Sequence, residues 1–87
     1  MTHEKEVEIL MNDHCTRYDA ERHLRNETVI YDAEDFEKNY REYYEGWLCG
    51  EEEIQEAAEM IRTGVPLKDW GISHDNEGNK YYIMYVL

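Results

Sequence analysis

Between Lys80 and Leu87 the chain is apolar on alternate residues twice over. Tyr81, Ile83 and Tyr85 fall on one side of an extended strand, and Tyr82, Met84 and Val86 on the other. Successive strand side chains point to opposite faces, so a strand apolar on both sides has to be covered on both. No other feature restricts the fold as much: this strand belongs at the centre of a sheet or between two layers. A hairpin partner precedes it, because Trp70 to His74 is followed by the turn sequence Asp75-Asn76-Glu77-Gly78-Asn79. The β-branched run Thr28-Val29-Ile30-Tyr31 offers a third strand.

The layers must come from helices. Val7, Leu10 and Met11 give a short inner stripe to a helix over residues 4–11, broken by Asn12, Asp13 and His14. Thr16 is placed to cap a second helix with Asp19 three residues on, flanked by Cys15 and Ala20 at the staple positions. That helix runs to about Leu24 or Arg25, with Ala20 and Leu24 inward. Asp32, with Asp35 at its third position and Tyr31 and Phe36 as a staple, opens a third helix. Its stripe is Phe36, Tyr40, Tyr43, Tyr44 and Trp47, and Gly46 and Gly50 mark its end. A fourth helix over Glu51–Thr63 turns Ile54, Ala57, Ala58 and Ile61 inward and stops at Gly64, with Val65-Pro66 preventing continuation. The expected fold is α+β, with four helices and a small antiparallel sheet: the C-terminal hairpin plus a short strand near 28–31. With 87 residues, no repeat and no Pro/Gly/Ser linker, a single domain over 1–87 is expected.

Charge then narrows function. The chain has 21 Asp and Glu against nine Lys and Arg, a formal charge of -12. A polyanion of this kind is not expected to bind nucleic acid or an anionic membrane directly, since phosphate recognition needs cations. With 41% apolar and 13% aromatic residues it has the means to bury a core, unlike a disordered acidic tail. Met1 is followed by Thr2, His3, Glu4 and Lys5 rather than by an apolar run, and Cys15 and Cys49 are too few for a disulfide framework. A cytoplasmic protein with two reduced thiols is expected.

Reactive constellations are sparse. The sequence holds no phosphate-cradling glycine loop, nucleophile elbow or HExxH motif. His3, His14, Cys15, His23, Cys49 and His74 match no zinc spacing, so no metal or other cofactor is expected. A Cys15–His23 dyad would lack an orienting partner and an oxyanion site. No enzymatic activity is expected.

The negative charge is concentrated. Residues 32–59 hold eleven acidic side chains against Lys38 and Arg41, for a net -9. Solvated helices usually interleave bases to form i, i+4 pairs; here only Lys38 and Arg41 do so, and Glu51, Glu52, Glu53, Glu56 and Glu59 are expected to have no basic partner at all. The run either serves solubility or presents carboxylates as a substitute for the phosphates of nucleic acid. Under the second reading the contact residues are Glu34, Glu37, Glu42, Glu45, Glu52, Glu53, Glu56 and Glu59, with Tyr40 and Tyr44 as anchors.

In size and charge the chain resembles small acidic proteins of bacteriophages and mobile elements, a class that includes anti-CRISPR inhibitors and DNA-mimic antirestriction proteins. Cys15-Thr16-Arg17-Tyr18-Asp19-Ala20-Glu21-Arg22-His23-Leu24, followed by Thr28-Val29-Ile30-Tyr31-Asp32, is similar to short proteins of Firmicutes and their phages. So are Gly64-Val65-Pro66-Leu67-Lys68-Asp69-Trp70-Gly71 and the ending Tyr81 to Leu87. The resemblance implies a non-enzymatic inhibitor in a bacterial host cell. Its partner would be a basic nucleic-acid-binding protein such as a CRISPR effector. The alternative is a small interaction or regulatory module whose charge serves only solubility. That module would form a homodimer through an aromatic hairpin surface at Trp70, Tyr81, Tyr82 and Tyr85.

Overall fold

The computed structural model describes residues 1–65 and 70–85. Helices α1 (His3–Asn12) and α2 (Arg17–Arg25) precede strand β1 (Val29–Asp32). Helices α3 (Ala33–Gly46) and α4 (Glu51–Thr63) follow, and strands β2 (Trp70–His74) and β3 (Lys80–Met84) form the hairpin. The sheet is antiparallel in the order β1-β3-β2, so β3 is the central strand. Tyr82 lies between Tyr31 and Ile72, and Ile83 between Ile30 and Gly71.

Both faces of β3 are covered, as its double apolar pattern requires. Tyr82 packs with Phe36, Tyr44, Ile54, Ala57 and Met60 of α3 and α4. On the reverse face, Tyr81 and Ile83 pack with Val7, Ile9, Leu10 and Ala20 of α1 and α2. The three strands thus separate an aromatic core from an aliphatic one. The expected contributions of Pro66 and Val86 lie outside the described residues.

Local chemistry explains where the elements begin. The Thr2, Thr16 and Asp32 side chains each accept the N–H three residues ahead, which caps α1, α2 and α3. Asp32 is also the last residue of β1, so strand passes into helix without a loop. Tyr31 and Phe36 form the staple beside that cap, with ring centroids 5.5 Å apart. Within α3, Asn39 leaves helical geometry (φ -122°, ψ 15°) while its amide donates to the Asp35 carbonyl at 3.1 Å. That insertion into the helical ladder accounts for the kink.

Two inward assignments need correcting. Met11 is largely exposed, and Ile9 is buried in its place. The reason is that α1 packs against both α2 and β2, which turns the buried arc toward Ile9 and away from Met11. On α4, Met60 joins the expected inner face and is fully buried.

The β2–β3 turn is organised by one carboxylate. Asp75, whose side chain is wholly enclosed, accepts from the backbone N–H groups of Glu77 and Asn79, both at 2.9 Å. It also accepts from the Asn79 amide at 3.0 Å and the Tyr81 hydroxyl at 3.2 Å, and Lys5 Nζ stands 3.2 Å away. Asn79 and the other donors hold this carboxyl well below the usual carboxylate range, against the opposing effect of burial.

Candidate functional site

On α4 the buried residues Ile54, Ala57 and Met60 fix one face against the aromatic core. Glu52, Glu56 and Glu59, spaced four and three residues apart, therefore form a stripe on the opposite face. It spans roughly 10 Å of helix axis at the usual rise per residue. All three are exposed.

The ten residues expected to make contact divide by what holds them. Glu42, Glu52 and Glu56 are exposed and have no ion-pair partner among the described residues. Glu34 pairs with Lys38 at 2.9 Å, Glu45 lies 3.9 Å from Arg41, and Glu59 pairs with Arg62. Glu53 remains exposed, while its carboxylate accepts the Gly50 N–H at 3.0 Å and so helps cap α4. Glu37 is committed to the fold: it accepts the Tyr82 hydroxyl at 2.6 Å and lies 3.3 Å from Lys80 Nζ.

The proposed aromatic anchors are not free. Tyr44 is 9% exposed, and burial pushes its hydroxyl up to about 12. Tyr40 is half-buried against the same core. Both lie on the stripe that faces Phe36 and Tyr82, so packing consumes them. The expected lack of basic partners on α4 is also corrected at two positions. Glu51 receives a two-pronged contact from Arg41 of α3, at 3.1 and 3.3 Å, and Glu59 has Arg62. The first crosses between helices, and the second uses a base beyond residue 59.

Two residues at the α3–α4 junction were not expected at the surface. Trp47 is 38% exposed and Leu48 93% exposed. The α3 spacing puts Trp47 on the inner stripe, where its ring does meet Tyr44 at 5.2 Å and Tyr31 at 5.9 Å between centroids. Leu48 falls off that stripe, and its place between Gly46 and Gly50, at a helix end, was the available signal.

The aromatic hairpin surface of the alternative reading is not available either. Tyr81 and Tyr82 are buried in opposite cores, and Trp70 and Tyr85 are half-buried. A central strand spends both its faces inside the molecule.

Possible reacting groups are held in structural contacts. The Cys15 sulfur is 3.9 Å from the Tyr85 hydroxyl, and burial pushes its thiol up, away from the reactive thiolate. His23 sets its ring edge-on against Tyr85 at 4.9 Å, and the Tyr85 hydroxyl donates to Asp13. His3 contacts Glu21 at 2.9 Å on an exposed surface. Among the described residues no group of three or more His, Cys, Asp or Glu side chains is arranged to hold a metal ion. No described helix is long and apolar enough to cross a membrane. A groove of about 760 Å³ opens beside α1, floored in part by Val7 and Tyr81. Its charges are internally matched, with Arg17 on Glu4 at 2.8 Å and Lys5 on Asp75.

No protein-family model, curated protein or solved structure matches the chain.

Proposed function

We propose that this protein is a non-enzymatic inhibitor that lays α4 and the outer edge of α3 against the basic nucleic-acid-binding surface of a host defence complex, such as a CRISPR effector. The observation that carries this reading is the outer face of α4. There Glu52 and Glu56 stand exposed without a counter-charge among the described residues, on a helix whose other face is locked into the core. Channels that hold nucleic acid are lined with Lys and Arg, and a fixed row of carboxylates meets them as a phosphate backbone does. Glu42 of α3 adds a further carboxylate with no ion-pair partner among the described residues. The partially matched residues Glu34, Glu45 and Glu59 widen the negative field, since exposed pairs are weak enough to exchange partners.

The test is capture of a partner from the bacterial host, followed by competition with nucleic acid over a salt series. The partner should be basic, nucleic acid should displace the protein, and binding should weaken steeply with salt. A captured partner with an acidic surface, or binding indifferent to salt, defeats the proposal.

A further inference from the structure

The tip between α3 and α4 carries apolar surface that the fold does not use. Helix α3 ends in a paired arrangement in which the Leu48 N–H donates to the Glu45 carbonyl and the Cys49 N–H to the Tyr44 carbonyl, both at 3.0 Å. This helix end needs a left-handed residue just past the cap, and Leu48 fills that place with φ 59°. Glycine is the usual occupant, because a Cβ is strained there. Leucine therefore worsens the helix end, and its side chain is left in water. Neither backbone nor core gains from it.

Trp47, beside it, is firmly mounted. Its ring is braced by Tyr31, Tyr43, Tyr44 and Trp70, with centroids between 5.2 and 6.4 Å away. Carboxylates flank the pair in the chain, with Glu45 before it and Glu51, Glu52 and Glu53 after it. An apolar tip thus stands at the start of the α4 stripe.

We infer that Trp47 and Leu48 anchor the docking surface in a cationic protein partner, one whose basic side chains border an apolar notch. The inference rests on the proposed function and sharpens it by naming the anchor and the shape it fits. A second copy of this chain is the wrong occupant, since a charge of -12 on each would set like fields face to face. Braced aromatic and apolar side chains dominate the energy of such contacts, while the surrounding charge governs approach and register.

Two helical peptides of equal lysine content serve as probes, one with leucines between the lysines and one with alanines in their place. Fluorescence anisotropy at low and moderate salt reads binding. The protein should prefer the leucine peptide by at least about tenfold. Leu48→Gly should lose that preference and keep its salt dependence, while its melting temperature rises by about 4 °C. Changing Glu52, Glu53, Glu56 and Glu59 together to Gln should weaken both peptides and flatten the salt slope. Equal affinity of the unaltered protein for both peptides overturns the anchor and leaves the acidic surface standing. A preference that survives in Leu48→Gly, or a lower melting temperature for that variant, also overturns it. Binding of neither peptide at low salt defeats the underlying reading as well.

Discussion

Asp75 in the β2–β3 turn and Glu56 on the outer face of α4 carry the same functional group in opposite circumstances. The first is enclosed, surrounded by four hydrogen-bond donors and an ammonium group. The second is exposed and has no ion-pair partner among the described residues. The comparison separates two uses of negative charge in one small chain. A buried carboxylate is tolerable only when its lone pairs are taken, and once taken it fixes the local geometry. An exposed one constrains its own fold little, yet its field extends over a Debye length of about 8 Å at physiological salt.

Removing Asp75 should have the largest effect. Asp75→Ala strands the Tyr81 hydroxyl, leaves Lys5 only its longer contacts to Glu8 and Glu77, and unties the turn that starts the central strand. Urea denaturation should show a larger loss of stability than for any exposed carboxylate. A midpoint no lower than that of Glu56→Ala would erase the contrast.

Acidity offers a second test. The folded state holds Asp75 below its ordinary value of 3.8. Its contribution is therefore present above that value and is lost as the pH falls through and below it. At the alkaline end, Tyr44 is raised by burial from 10.0 to about 12. Its contribution is present below pH 10 and is lost as the pH rises toward 12. Stability measured against pH should fall at both ends. In Asp75→Ala the acid limb should become shallower. An unchanged acid limb in that variant would show that the turn is not its source.

The fourfold change of Glu52, Glu53, Glu56 and Glu59 to Gln should leave stability within about 1 kcal/mol of the parent, since relief of repulsion offsets the loss of charge at the helix start. Circular dichroism should show α4 intact in thermal scans. A loss as large as that of Asp75→Ala would mean that the outer face is part of the folding machinery. Arg62→Gln should do least. It frees Glu59 at a cost of about 0.3–0.5 kcal/mol, as for other exposed helical pairs. It should tighten binding to a lysine-rich peptide, and weaker binding would mean that Arg62 itself makes contact.

Much of the scaffold was legible because its signals are short-range. The capping residues Thr16 and Asp32, the Tyr31–Phe36 staple and the double-faced strand each announce themselves within a few residues. The helix ends were harder. Only α4 stops at a left-handed glycine, Gly64. The other three place His14, Glu27 and Leu48 at positive φ, and these residue types give little warning of it. The candidate site was half legible for a related reason. Local spacing identified the acidic run and the α4 stripe, but the Arg41–Glu51 and Glu37–Tyr82 contacts join residues ten and forty-five apart. The stripe on α3 likewise could not say which of its rings the core would enclose. Tertiary packing took Tyr44 and left part of Trp47 outside.

The central position of β3 has a consequence for the chain during its synthesis. Translation proceeds from the amino terminus, so α1, α2, β1, α3 and α4 are all synthesised before Lys80 is added. Until then neither core has its shared wall, and β1 lacks β3, its one sheet partner among the described residues. Val7, Leu10, Phe36 and Ile54 are thus all made before the strand that covers them. Its dense negative charge keeps such copies apart on a crowded polysome, where neutral chains of the same hydrophobicity would stick.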